Sequence, residues 1–450
     1  YQNSKIAQEQ VAQAIFGGIG MSGKIPVTTK HFDINSGKNT KALRMPYVSA
    51  EEIGFNTDLL YKIDSIAENA IAKKAIPGCQ ILIAKEGKIF FNKSYGYHTY
   101  DEKIEVKNSD VYDIASITKI ASTVPLLMQM VDEGDLNIDD ELGKYLELDS
   151  TNKEHLIIRE ILAHQSGLYP WIPFYQQTLV KDSVSGLMQL RDTLYSKEFS
   201  KEFPIKVADN IYLHYSYPDS IIQQIIASEL LEKKEYRYSD LGYYLLKQII
   251  EKKYGKAINT IAADKFYSKL GMENLGYLPL VRVAEDRIVP TEDDFLFRSQ
   301  LLKGYVHDMG AAMQGGVGGH AGLFSNANDL AKLMQMYLQN GEYAGERYLS
   351  KEVVKEFTKC QFPKNENRRG AGFDKVALAD QKGGPASENA NQEGFGHSGF
   401  TGTLVWADPK TQIVYVFLSN RIHPDATNKK LLTMDVRTNI MEVIFKSIND

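Results

Sequence analysis

The stretch Ser116-Ile117-Thr118-Lys119-Ile120-Ala121-Ser122-Thr123-Val124-Pro125-Leu126-Leu127-Met128-Gln129-Met130 sets a hydroxyl and an amine three residues apart at the head of a long apolar run. A helix that begins at Ser116 puts both side chains on one face, with the amine beside the hydroxyl. Serine is a poor nucleophile and needs an adjacent base. Lysine can be that base only when neutral, so its pKa must fall from about 10.4 through burial or a nearby positive charge. The helix N-terminus supplies an oriented N–H for a developing oxyanion. Ser150 to Lys153 has the same spacing without the apolar run and reads as a polar turn. Alone, Ser116 reads equally well as a helix N-cap.

Two more motifs follow in order. Tyr238-Ser239-Asp240 precedes a helix-like run over 241–250. His397-Ser398-Gly399 opens the first strand of a terminal hairpin, 402–407 and 412–420, folded about Asp408-Pro409-Lys410-Thr411. A first hairpin is expected over 79–95 about Glu86-Gly87, behind an amphipathic helix carrying Leu59, Leu60, Ile63, Ile66, Ala67, Ala70 and Ile71 on one face. Helices are expected through most of 116–305 and from 428 to 448. Strands at both ends with helices between predict an antiparallel sheet built from distant parts of the chain.

S-x-x-K, Y-S-D and H-S-G in this order resemble the signatures of the serine β-lactamase and penicillin-binding-protein superfamily, S-x-x-K, Y-x-N and K-T-G or H-x-G. The segments 158–168 and 319–332 also resemble it. The resemblance covers about 46–450. It implies an α+β fold with an antiparallel sheet flanked by helices, a sheet lobe at about 46–115 and 311–450, and a mainly helical lobe at about 116–310. It further implies that Ser116 is acylated, Lys119 accepts its proton and Tyr238 shares the base role and protonates the leaving group. By the same resemblance the amides of Ser116 and Phe400 form the oxyanion hole, and His397, Ser398 and Gly399 line the substrate edge. Two departures matter. Asp240 stands where the family has Asn, able to bind a substrate carbonyl or to pair with Lys119 and hold it charged. His397 replaces the lysine that helps hold a substrate carboxylate. Both point towards the esterase, amidase and aminopeptidase branches.

His164 reads as a turn and packing residue. His320 lies in Gly315–Gly322, with five glycines in eight residues, and either lines the cleft or sits in a tight turn. Arg421 is a candidate for a substrate carboxylate or for a structural ion pair. Tyr169, Trp171, Phe174 and Tyr175 could floor a sugar or peptide cleft, although most aromatics are core.

A net charge of −5, with basic residues spread along the chain, gives no reason to expect nucleic acid, and no run of about 18 apolar residues predicts a membrane span. Histidine and cysteine spacings predict no metal site, and no cofactor is expected. Cys79 reads as a core residue, with a bridge to Cys360 left open. Gly18, Gly20 and Gly23 imitate a nucleotide-binding loop, but they follow a helix and Pro26 blocks another, so nucleotide binding is rejected. Residues 1–45 instead resemble the closing segment of family 3 glycoside hydrolases and a linker, which implies a fusion partner upstream. The start at Tyr1 without Met reads as a processed or excised chain, and no signal peptide is recognised. The expected activity is an N-acetylmuramoyl-L-alanine amidase on peptidoglycan fragments, in a periplasmic or extracellular envelope location. The alternatives are a carboxylesterase, a D-aminopeptidase, a weak β-lactamase, or a non-catalytic peptidoglycan-binding or sensor domain.

Overall fold

Apolar residues occupy nearly every position of 79–84 and 413–418, so both faces of these strands must be covered. The computed structural model, which describes residues 3–183, 186–378 and 383–448, shows how. Six strands form one antiparallel sheet: β1 (Gly78–Lys85), β2 (Lys88–Gly96), β3 (Asp374–Lys375), β4 (Phe395–Ser398), β5 (Leu404–Asp408) and β6 (Ile413–Ser419). Their spatial order is β3-β4-β5-β6-β1-β2, and β1 pairs with β6 from Cys79↔Ser419 to Lys85↔Ile413.

Strand alternation divides the residues between two cores. Ile81, Ile83, Trp406, Tyr415 and Phe417 pack with helix α2 (Thr57–Ala72) and helix α6 (Val436–Lys446). Leu82, Ala84, Val405, Val414 and Val416 face the larger core, which includes α5 (Ala327–Leu338) and the remaining lobe. Gln80 is buried in β1 and fully used. Its amide donates to the carbonyls of Lys107 and Asp110, and its oxygen accepts the Ala327 N–H at the head of α5.

Three expectations need correction. The middle of the chain is less helical than its apolar content implies. Beside helices such as Tyr217–Ala227 and α4 (Leu241–Tyr254) it holds short paired strands, among them Ile205–Ala208 with Ile211–Leu213 and Glu292–Asp294 with Gln300–Leu302. The closing helix is broken into Lys430–Thr433 and α6, because Asp435 adopts a left-handed φ of 49°. His397-Ser398 does not open the terminal hairpin. It ends a separate strand, β4, paired to β5 through His397↔Val405.

Cys79 and Cys360 are both free. The N-terminal helix α1 (Lys5–Ile15) buries no residue. Among the described residues no helix is long and apolar enough to cross a membrane.

Candidate active site

Ser116 follows Ala115, which holds a left-handed φ of 46°. A β-carbon is strained there, and the surroundings fix it: the Ala115 N–H donates to Asp113 Oδ1 at 2.8 Å, while Asp113 Oδ2 accepts the His307 N–H at 2.7 Å. The helix starts at Ile117 and passes at once into a π-helical turn, Lys119–Thr123, before α3 (Val124–Asp132). Pro125 explains this turn. It has no N–H for the carbonyls one turn back. Those of Ile120 and Ala121 accept instead from the hydroxyls of Tyr337 and Tyr267, at 2.7 and 2.9 Å. Lys119 is thereby held on the buried side of Ser116.

The Lys119 ammonium donates to Ser116 Oγ at 2.9 Å and to Asp240 Oδ1 at 2.6 Å. It also reaches the His320 carbonyl at 3.4 Å and stands 5.0 Å over the Tyr238 ring. Burial works to lower its pKa, but the charge of Asp240, with Tyr238, outweighs burial and holds it above the ordinary lysine value. This reverses the expectation of a neutral lysine: of the two roles open to Asp240, the structure shows pairing with Lys119.

Tyr238 and Asp240 are delivered by the turn before α4, tied down where Ser239 Oγ donates to the Tyr169 carbonyl and the Asp240 N–H to that of Pro170. The Tyr238 hydroxyl is buried and raised in pKa, chiefly by burial, with Lys119 and Arg369 opposing. His164 packs on the Tyr238 ring at 4.2 Å, and its Nδ1 accepts the Ser239 N–H, the packing role expected of it.

The strand-end residues close the other side. Gly399 lies against the backbone before Ser116; a β-carbon there would meet Thr403 Oγ1 at 2.1 Å and the Ile114 carbonyl at 2.5 Å. Thr401 Oγ1 donates to the Asp113 carbonyl at 2.7 Å. Phe400 is thus held beside 113–116, and among the described residues neither its amide nor that of Ser116 donates to a protein acceptor. Ser398 is half-buried, and its carbonyl accepts from His397 Nδ1 at 2.7 Å. His397 is buried and kept neutral: burial, then the charges of Arg369 and Lys119, push its pKa down to about 3.

Arg369 is the residue that sequence reasoning missed. It is buried, its Nη1 approaches His397 Nε2 at 3.3 Å, and its guanidinium lies 5.2 Å over the Tyr238 ring. Tyr238 therefore stands between two cations. Among the described residues Arg368 and Arg369 share one carboxylate, Asp374 on β3, and Arg369 Nε is unpartnered. His320 is corrected, and of the two roles expected of Arg421 the structural ion pair is. The His320 side chain lies buried between Tyr244 and Asp308, so only its carbonyl joins the site. Arg421 meets no carboxylate among the described residues; it donates to the Asn428 carbonyl at 2.6 Å and covers the Phe400 ring.

The family profile described as "Beta-lactamase" matches residues 63–437. The chain belongs to the beta-lactamase family. It is accordingly a serine hydrolase of that family, and its antiparallel sheet with flanking helices is the family's fold. It is 29% identical, over 84% of each chain, to the N-acetylmuramyl-L-alanine amidase of Bacillus subtilis (strain 168). It is 30% identical, over 83% of this chain and 85% of the other, to a protein of Escherichia coli (strain K12) named "Putative D-alanyl-D-alanine carboxypeptidase". Two solved structures share the fold. EstCE1, a hydrolase with promiscuous acyltransferase activity, has a TM-score of 0.61 at 18% identity, covering 86% of this chain and 99% of that one. A penicillin-binding protein homologue from Caulobacter crescentus has a TM-score of 0.61 at 17% identity, covering 88% and 99%.

Proposed function

We propose that this beta-lactamase-family hydrolase is an N-acetylmuramoyl-L-alanine amidase of the cell envelope, acting on peptidoglycan fragments through a Ser116 acyl-enzyme. The observation that carries the amide chemistry is the contact of Ser116 Oγ with Lys119, itself paired to Asp240. The muramyl substrate is supported by the Bacillus relative. Ser116 Oγ attacks the lactyl carbonyl, and the oxyanion meets the amides of Ser116 and Phe400. Lys119 becomes able to accept the hydroxyl proton when its own shifts to Asp240, a transfer that leaves the pair's net charge at zero. Tyr238, between Lys119 and Arg369, gives its hydroxyl proton to the departing L-alanyl amine and takes one back from Lys119, which regains its own from Asp240. Water then attacks the acyl-enzyme, one of its protons returns to Ser116 Oγ, and the muramyl acid is released.

Incubation with a muramyl-peptide is expected to release free peptide with a new N-terminal L-alanine, detected by mass spectrometry. Hydrolysis of simple esters with the muramyl-peptide left intact would sink the amidase assignment. A carboxypeptidase reading is favoured by one observation, the Arg369 guanidinium against His397 with its Nε unpartnered among the described residues, which suits a terminal carboxylate. Release of D-alanine from the same substrate would select it.

We also infer that residues 1–45 belong to the end of a glycosidase-like domain and its linker. Their support is the exposure of Ile6, Val11, Ile15 and Phe16, apolar side chains left uncovered among the described residues. Removing residues 1–45 is expected to leave the hydrolase fold and its hydrolysis intact, with the Met45 packing and the Gln13–Tyr47 hydrogen bonds lost. Loss of folding in the trimmed chain would place the segment inside the hydrolase domain.

A further inference from the structure

Only two tryptophans occur in the chain, and they differ: Trp406 is fully buried in β5, while Trp171 is 49% exposed. Trp171 directly follows Tyr169 and Pro170, whose carbonyls hold Ser239 and Asp240, so its backbone is fixed to the turn that presents Asp240 to Lys119. Its indole leans on Tyr175 at 6.4 Å, and Tyr175 on Phe297 at 5.5 Å.

The loop bearing Phe297 is rigidly built. Asp294 accepts the N–H groups of Leu296, Phe297 and Arg298, and Arg298 donates to the carbonyls of Val306 and His307. The His307 ring then lies on Phe400 at 5.1 Å, nearly parallel to it. A continuous chain of contacts thus runs from Trp171 beside Asp240 to Phe400 beside Ser116. In its middle Phe295 and Leu296 stand 73% and 68% exposed.

Large apolar side chains held outward by a buried ion pair, contiguous with a reacting centre, mark a surface meant to be covered by ligand. The buried carboxylates behind this wall are taken up, Asp294 by Arg298 and Glu292 by a hydrogen bond from His307. The guanidinium of Arg421 lies only at the Phe400 end, which leaves the stretch from Trp171 to Leu296 suited to a neutral ligand. Arg369, which shares Asp374 with Arg368, lies by contrast against His397 and Tyr238. A pyranose meets these terms: it lays an apolar C–H face on a flat ring and turns its hydroxyls to water.

We propose that Trp171, with the rim running to Phe400, is a subsite for a neutral N-acetylated pyranose ring of the substrate. This deepens the amidase reading and rests on it for the identity of the acyl half. Because Trp406 is buried, ligand-induced tryptophan emission reports Trp171. Titration with the methyl glycoside of N-acetylglucosamine is expected to give a saturable emission change in the wild type and none in Trp171→Phe. In parallel, Trp171→Ala should raise KM for the muramyl-peptide about tenfold, the scale of one aromatic contact with its area, and leave p-nitrophenyl acetate turnover unchanged.

An emission response to an aryl-acyl amide but not to the sugar overturns the proposal, as does an equal loss on both substrates. The two readings fail separately. A saturable sugar response with no muramyl-peptide cleavage keeps the subsite and removes the amidase. Muramyl-peptide cleavage by Trp171→Ala at wild-type efficiency keeps the amidase and removes the subsite.

Discussion

Replacing Ser116 with alanine is expected to lower kcat on any cleaved ester or amide by roughly 10⁴-fold or more, as removal of an acylated nucleophile does elsewhere. It should also abolish the single adduct formed with a fluorophosphonate. In that reaction Ser116 Oγ forms a bond to phosphorus, fluoride leaves, and the hydroxyl proton passes to the Lys119–Asp240–Tyr238 cluster. The fold should survive. Ser116 is only partly buried and its side chain makes one hydrogen bond, from Lys119. Thermal unfolding within a few degrees of wild type, together with a missing adduct by intact mass, would tie the loss to chemistry. An adduct that persists in Ser116→Ala would place the nucleophile elsewhere.

Ser116, Lys119, Tyr238, Asp240 and His397 were legible in the sequence because each lies in a short motif whose chemistry is local. Lys119 is one turn from Ser116, and the apolar run after it announces the buried helix. The strands were legible too, since unbroken apolar runs such as 413–418 demand cover on both faces. Arg369 was not legible. It reaches His397 only because β3, which carries its partner Asp374, pairs with β4 at Asp374↔Gly396, and no local spacing encodes a register across that gap. The same limit explains Arg421 and His320, charged or titratable residues in suggestive company whose side chains the tertiary structure turns to a carbonyl or an aromatic ring. The π-turn left a trace in Pro125, but its stabilising hydroxyls, Tyr267 and Tyr337, lie far along the chain. Short strands in the middle segment were hidden because runs of three or four residues carry too few periods to separate strand from helix.

Asp240→Asn is expected to invert the pH dependence that Lys119 contributes to stability. In the wild type Lys119 sits above its ordinary 10.5, with burial overcome by Asp240. The folded state then holds the proton more tightly than the unfolded chain. Its contribution is fully present below about pH 10 and is lost only as pH rises through the folded pKa. Asparagine has the same shape and no charge. Burial becomes the dominant influence and Lys119 falls below its unfolded value. At a pH where it is still protonated, the uncompensated buried cation should cost about 3–5 kcal/mol. Between the lowered pKa and 10.5 the unfolded chain binds more protons, so the variant should gain stability with rising pH across the window where the wild type is flat. Melting temperatures of both proteins from pH 6 to 9 make the comparison. Catalysis should move the same way: with more Lys119 neutral near pH 7, the rising limb of kcat/KM against pH should shift to lower pH in Asp240→Asn. Parallel melting profiles and an unmoved limb would mean that Asp240 does not hold the proton on Lys119, and the proposed transfer within the pair would fall with it.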